Sequence, residues 1–213
     1  MSTFVELPKP IKDFIKIFSQ LPGIGPRQTT RLAFWLLHQK KETQYSFYHA
    51  FTNLFSKTQI CPNCFFISEK DPSSKQENQL CKICQDSQRD QSVICVIEKE
   101  TDLISIENTN KYKGLYHVLG GLISEIDKSR EQELTINKLL SRIKTASPKK
   151  VKEVILALNP TSEGNLTTYY IEKSIKKINS DIKITKLGRG LPQGGEVEFA
   201  DAETLVNALE GRK

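Results

Sequence analysis

Four of the chain's five cysteines form two Cys-x-x-Cys pairs, Cys61-Pro-Asn-Cys64 and Cys81-Lys-Ile-Cys84, with sixteen residues between them. Each pair sets two thiolates on one tight turn, which is half of a tetrahedral four-sulfur site. The spacing falls within the zinc-ribbon range, whereas a redox dithiol would carry one such motif beside a strand–helix unit. No histidine lies inside the module and four cysteines fill the shell, so the expectation is one structural Zn2+ per chain on Cys61, Cys64, Cys81 and Cys84. The fifth, Cys95, stands in Val-Ile-Cys-Val-Ile and reads as a buried packing residue.

A second candidate site is Leu21-Pro-Gly-Ile-Gly-Pro-Arg27. Gly23 and Gly25 allow positive φ and close approach of a partner to the backbone. The helix that follows presents free N–H groups and a positive dipole end, which suits a phosphate. Arg27 and Arg31 are four residues apart and share a face of that helix. The bland alternative is a Gly-Pro turn with two solvated arginines. The full string resembles a helix–hairpin–helix motif, which holds DNA phosphates rather than bases and implies little sequence preference.

Acidic and amide residues mark a third place. Glu98 ends an apolar run with Asp102 just beyond, and Asn159-Pro-Thr161-Ser-Glu163-Gly164 follows another. Loops after strand C-termini are where open α/β sheets build sites. The pattern resembles a Toprim domain, the module of bacterial primases and of type IA and II topoisomerases. In its catalytic members one Glu and an Asp-x-Asp pair gather Mg2+. Here Asn159 and Thr161 stand at the two Asp positions, and neutral oxygens are poor substitutes for carboxylates around a hard dication. Glu98 and Glu163, with Asp102, are what remain, so the fold is expected without the catalysis.

The elements that must position these residues are legible in the periodicity. Apolar spacing predicts helices over 9–20, 26–38 and 45–55, the last carrying an aromatic stripe expected to be core. From Ser92 onward strands at 93–97, 115–119, 154–158 and 182–187 alternate with helices near 102–106, at 136–144, at 166–178 and at 202–209. Continuous apolar strands separated by helices indicate a parallel sheet covered on both faces. The expected organisation is a helical helix–hairpin–helix DNA-binding domain (1–57), a four-cysteine zinc-finger module (58–91), a Toprim-like α/β domain (92–187) and a C-terminal helical segment (188–213).

Composition narrows the class. Of 213 residues, 26% are charged and 38% hydrophobic, an ordinary globular balance. No apolar run approaches a membrane span, and the first residues lack the pattern of a secretion signal, so a cytoplasmic, reducing setting is expected. The net charge is +6, and residues 1–60 hold 8 basic against 3 acidic side chains, which places the polyanion-seeking charge in the first quarter. His38, His49 and His117 have no matching partners and receive no role. The Gly188–Gly195 loop lacks the Lys-Ser/Thr ending of a P-loop and reads as a structural or subunit-contact turn.

In order, these pieces resemble the RecR family of bacterial recombination mediators across nearly the whole chain. The resemblance rests on PGIGPRQTTRLAF, on Cys81-x-Ile-Cys84 with Arg89 four residues on, on Ile94-Cys-Val-Ile-Glu98, on Asn159-Pro-Thr-Ser-Glu-Gly164 and on Gly190-Leu-Pro-Gln-Gly-Gly-Glu196. Three departures stand out. Asp71–Gln79 looks like an insertion, expected to bulge without disturbing the metal. Asn165 occupies a place where the family commonly has an acid, and Arg27 replaces a frequent Lys. The resemblance implies DNA contact through Arg27 and Arg31 with Gly23 and Gly25, and zinc on the four cysteines. It also implies a ring-like homo-oligomer, a dimer or tetramer, with contacts from the helix–hairpin–helix region and the C-terminal segment. Action with RecO and RecF in loading RecA on gapped DNA coated by single-strand-binding protein follows from the same likeness, as does a nucleoid association. The alternative is a Mg2+-dependent Toprim nuclease or primase-like enzyme using Glu98 and Glu163. A zinc-ribbon transcription accessory would not need the other two modules together.

Overall fold

Proline and glycine punctuate the first sixty residues, and the helices begin and end where they fall. A computed structural model describes residues 6–72, 79–124, 134–145 and 151–212. The chain divides into two compact units, residues 1–58 and 59–213. In the first, α1 (Lys9–Phe18) and α2 (Pro26–Leu37) each carry a proline in the opening turn, where its missing N–H leaves nothing unsatisfied. Between them the backbone reverses through Gly23 at φ 76°.

The third helix, α3 (Lys41–Ser56), starts a turn before the expected Tyr45. The Gln44 amide donates to the carbonyls of Leu36 (3.0 Å) and Gln39 (3.2 Å), which fastens the new helix to the end of α2. Phe14 stacks on Phe18 at 4.0 Å, Phe18 meets Phe51 edge-on at 5.8 Å, and Trp35 meets Phe47 at 6.0 Å.

The aromatic stripe of α3 is not core within the described part of this unit. No residue of α3 is buried, and Tyr48 and Phe55 are 65% and 76% exposed. Three short helices enclose too little volume to cover both the α1–α2 face and the far side of α3.

The second unit is built on a parallel sheet. Its strands are β3 (Asp90–Ile97), β4 (Gly114–Val118), β5 (Glu153–Ala157) and β6 (Lys183–Lys186), in spatial order β4-β3-β5-β6. All three pairings are parallel, with Ile94 opposite Leu115 and Val154, and Val154 opposite Ile184. The connecting helices are α5 (Glu100–Asn108), α6 (Ile136–Thr145) and α7 (Ser162–Ile178).

Alternation along β3 separates two cores. Ile94 and Val96 join Val154, Leu156 and the buried faces of α6 and α7, through Leu139, Ile143, Ile171 and Ile175. Cys95 and Ile97 face the other way, with Tyr116, Val118 and Leu103 of α5. Cys95 is 2% exposed, and burial pushes its thiol up to about 12, consistent with an inert packing residue.

A half-buried network pins this second face. Arg89 donates to the Gly114 carbonyl at 3.0 Å and pairs with Glu107, whose carboxylate also accepts from the Tyr116 hydroxyl at 2.6 Å. Burial pushes Glu107 up, but the hydrogen bonds from Arg89 and Tyr116 outweigh it and leave the carboxyl below its ordinary range.

Before the sheet, β1 (Thr58–Ile60) and β2 (Ile67–Glu69) form a two-stranded ribbon, and α4 (Lys82–Gln85) is a single turn. The Asp71–Gln79 insertion is described only at its ends, where Gln79 bonds the Asp71 amide (3.0 Å) and carbonyl (3.3 Å); residues 73–78 lie outside the described residues. After the sheet come a 3-10 turn (Val197–Phe199) and α8 (Ala202–Glu210), capped by the Asp201 carboxylate on the Thr204 amide at 2.8 Å. Among the described residues no helix is long and apolar enough to cross a membrane.

Candidate functional site

The four paired cysteines converge. Cys61 and Cys64 sit on the turn of the β1–β2 ribbon, which is closed by Cys61 N–H to the Phe66 carbonyl and Phe65 N–H to the Cys61 carbonyl, both at 2.9 Å. Phe65 takes the left-handed conformation at φ 63° to make that turn. Cys81 caps α4 and Cys84 lies within it.

The four sulfurs lie within 4.8 Å of one another, and Cys64 and Cys81 are 3.5 Å apart. A tetrahedral site with metal–sulfur bonds of about 2.3 Å requires sulfurs roughly 3.8 Å apart, so the cluster is the right size for a metal ion. Cys61 and Cys64 are fully buried, Cys81 nearly so and Cys84 partly, and four sulfurs supply all the ligands of a tetrahedral site.

Hydrogen bonds turn toward the sulfurs as well. The Cys81 amide donates to Cys61 Sγ at 3.3 Å, and the Asn63 side chain to Cys84 Sγ at 3.5 Å. The hydrogen bond with Cys64 draws the Cys61 thiol below its ordinary range, and the same contact pushes Cys64 above it. Four such thiols cannot all ionise together without a cation among them.

The cysteine turn is mounted on the sheet. The Val118 amide donates to the Cys64 carbonyl at 2.8 Å, and Phe65, Phe66 and Ile83 pack onto the core of Cys95, Ile97 and Tyr116. Phe65 meets the ring of His117 edge-on at 5.2 Å. His117 is wholly buried, with Nε2 2.9 Å from the Thr135 hydroxyl; burial, with the charge of Arg142, holds it down at about 3. A neutral structural histidine results, in line with no assigned role.

At the Gly23–Gly25 turn one expectation is corrected. Gly23 has positive φ, but Gly25 lies at φ −87° and ψ 172°, extended backbone open to any residue. Gly25 instead caps α2, where Pro26 fixes the first helical residue and leaves the preceding one extended. Arg27 and Arg31 are exposed on the first two turns of α2, and neither forms an ion pair among the described residues.

The acidic site is only partly assembled. Asn159, after β5, donates from its amide to Glu98 Oε2, at the end of β3, at 2.9 Å. Asp102 turns away: its carboxylate accepts the Lys99 amide at 3.1 Å and caps α5. Thr161 also caps a helix, accepting the Gly164 amide at 3.1 Å, so α7 starts at Ser162 rather than at the expected Leu166. Glu163 is exposed in the first turn of α7.

The roles of two residues here escaped the sequence reading. A Cβ on Gly164 would lie 1.9 Å from the Asn159 carbonyl oxygen, so the loop closes only over glycine. Arg189 reaches from beyond β6 to Asn165 Oδ1 at 3.0 Å and stands 3.7 Å from Glu203. Neither has a local signature, because both contacts depend on where the sheet brings its loops. Around them lies a cleft of about 460 Å3 lined by Asn159, Pro160, Thr168, Lys186, Arg189 and Asp201.

A parallel sheet with a glutamate at the end of one strand and a short polar loop after its neighbour, preceded by helices and a four-sulfur cluster, defines a protein of the Toprim class. A family model described as "Toprim domain" matches residues 92–188, "RecR, helix-hairpin-helix" matches 11–53, and "RecR, C-terminal" matches 190–213. The chain is similar to proteins named "Recombination protein RecR". That of Staphylococcus saprophyticus is 43% identical over 205 residues, covering 96% of this chain and 97% of the relative. That of Bifidobacterium adolescentis is 42% identical over 203 residues (95% of each), and that of a Roseiflexus species 40% over 207 (97% and 95%). The chain belongs to the RecR family of recombination proteins.

Proposed function

We propose that this chain is a non-enzymatic, DNA-binding mediator of recombinational repair. The observation that carries the reading is the Asn159 amide on Glu98. An N–H group now meets the carboxylate where a catalytic Toprim domain would place a second acid, and an N–H repels the cation that such an acid would share. Thr161 is occupied as a helix cap and Asp102 as another, which leaves Glu98 and Glu163 without the charge to hold Mg2+ for phosphoryl chemistry.

DNA engagement is assigned to the first unit, through Arg27 and Arg31 beside the Gly23 turn. Zn2+, one per chain, is assigned to Cys61, Cys64, Cys81 and Cys84 as a structural ion. The domain limits proposed are 1–57, 58–91, 92–187 and 188–213. A ring-like dimer or tetramer, partnership with RecO and RecF in loading RecA, and a cytoplasmic, nucleoid-associated setting complete the proposal. Support for self-association comes from the exposed Tyr48 and Phe55 on α3 and from Phe199 and Leu209 near the C-terminus.

The test pairs binding with chemistry. Arg27→Ala with Arg31→Ala should weaken binding to unrelated DNA sequences by similar factors. The log–log salt slope should flatten by roughly one unit for each phosphate no longer held. Lys176→Ala with Lys177→Ala removes the same charge from exposed positions on α7 and serves as the control. Equal losses from the two pairs would show that only net charge matters and would end the helix–hairpin–helix assignment. In the same preparations Mg2+ or Mn2+ should yield no cleavage, relaxation or primer synthesis. A turnover abolished by Glu98→Gln would replace the mediator with a Toprim enzyme.

A further inference from the structure

Arg142, on α6, is a partly buried guanidinium with no carboxylate within ion-pair distance among the described residues. A withdrawn charge without a counter-ion is costly, so its retention calls for a partner. Its Nη1 donates to two carbonyls, Tyr116 of β4 at 2.7 Å and Asn63 at 3.2 Å. Asn63 lies between the ligand-type residues Cys61 and Cys64, so the guanidinium is bonded to the backbone of the cysteine turn itself.

The charge arithmetic supplies the missing partner. A dication held by four thiolates carries a net charge of −2, in a pocket where Cys61 and Cys64 are fully buried. The two N–H groups already aimed at sulfur, from Cys81 and Asn63, bring dipoles but no formal charge. Lys82, next to Cys81 in sequence, is exposed to solvent. Asn63, whose carbonyl accepts from Arg142 Nη1, is next to Cys64 and two residues from Cys61, which sets the guanidinium beside the ligand turn.

We infer that Arg142 is the charge partner of the metal–tetrathiolate centre, a positioning residue that couples metal binding to the Toprim core through the carbonyls of Asn63 and Tyr116. The inference rests on the metal reading of the four cysteines. Each side is incomplete alone: among the described residues the metal centre is a dianion without a formal positive charge bonded to it, and Arg142 a cation without a carboxylate partner. Together they leave one net negative charge in place of two across the seam between the cysteine turn and β4, and the guanidinium gains its counter-charge. Because α6 is anchored in the opposite core by Leu139 and Ile143, loss of the metal is felt on both faces of the sheet. Metal ligands are commonly supported in this way by outer groups whose removal costs about 10–100-fold in affinity.

The test uses the full chain with Arg142→Gln and Arg142→Lys. Gln keeps an N–H donor for the two carbonyls and discards the charge; Lys keeps the charge on a different donor. Zinc affinity is read by chelator competition, and Co2+ spectra report whether the sulfur shell stays tetrahedral. Arg142→Gln should bind zinc about 10–100-fold more weakly than the native chain. Arg142→Lys should stay within roughly tenfold of native and bind more tightly than Gln. If Gln proves too unstable to isolate metal-free, the Lys limit alone decides. Native affinity in Arg142→Gln, or Lys no tighter than Gln, would overturn the inference while leaving the metal site intact. A native chain that binds no zinc with all four thiols reduced would instead remove the metal reading, and this inference with it.

Discussion

Stripping the zinc proposed for the four-cysteine centre should loosen the Toprim sheet, first on the face that carries the cysteine turns, while leaving the helical unit folded. Phe65, Phe66 and Ile83 are carried by the two cysteine turns and lie on the core of Cys95, Ile97, Tyr116 and Val118. Without a cation the buried thiols cannot ionise together, and the turns lose the bond that holds them to one another. An ion bound to the folded state alone contributes ~4 kcal/mol when free zinc stands about 1,000-fold above its dissociation constant. Hydrogen exchange reads the result locally. The Val118 amide, bonded to the Cys64 carbonyl, should lose protection on chelation, as should Cys61 N–H on Phe66. Amides of α1 and α2 should keep theirs. Unchanged protection at Val118 in metal-free, fully reduced protein would mean that the cysteine module is held by packing alone.

A single methyl group at Gly164 is expected to be nearly as disruptive. The Cβ of an alanine would stand 1.9 Å from the Asn159 carbonyl oxygen, with the carbonyl carbon 3.1 Å away. Both are backbone atoms, so no side chain can swing aside. Relief requires moving either the first turn of α7 or the loop after β5, and with it Asn159 from Glu98. Overpacking of this kind costs roughly 1–3 kcal/mol, and the backbone clash places Gly164→Ala at the upper end. Urea unfolding should show a lower midpoint with little change in slope. Asn159→Ala serves as comparison: it removes an exposed hydrogen bond and should cost under about 1 kcal/mol. Equal midpoints for Gly164→Ala and the native chain would show that the loop is free to move and is not closed tightly over this glycine.

Position in the fold explains why the four cysteines and Gly164 differ in how far the sequence announces them. The cysteines declare themselves because a tetrahedral sulfur site needs two pairs on short turns, and that constraint is local in each half. Gly164 looks like any loop glycine until β5 and α7 are set side by side. Arg142 has even less of a signature: its meaning depends on α6 returning past β4 to reach Asn63.

The strand and helix order of the helical unit and of the α/β domain, the parallel sheet, the cysteine cluster, the arginine pair after the glycine turn and the missing acids were all determined by the sequence alone, whereas the β1–β2 ribbon and α4 were not. Periodicity and short-range spacing are properties of neighbouring residues, and the physics that reads them acts within a turn or a strand. Tertiary structure decided the rest. It turned Asp102 and Thr161 from candidate ligands into helix caps, because the loops after β3 and β5 lead directly into helices with free amides to satisfy. It left the aromatic stripe of α3 exposed, since a helical pattern states which face is apolar but not whether one chain has enough volume to cover it. It also set Asn159 against Glu98 and Arg142 against the cysteine turn. Contacts between residues 61 and 79 positions apart are fixed only when the sheet registers its strands, and no local pattern encodes that distance.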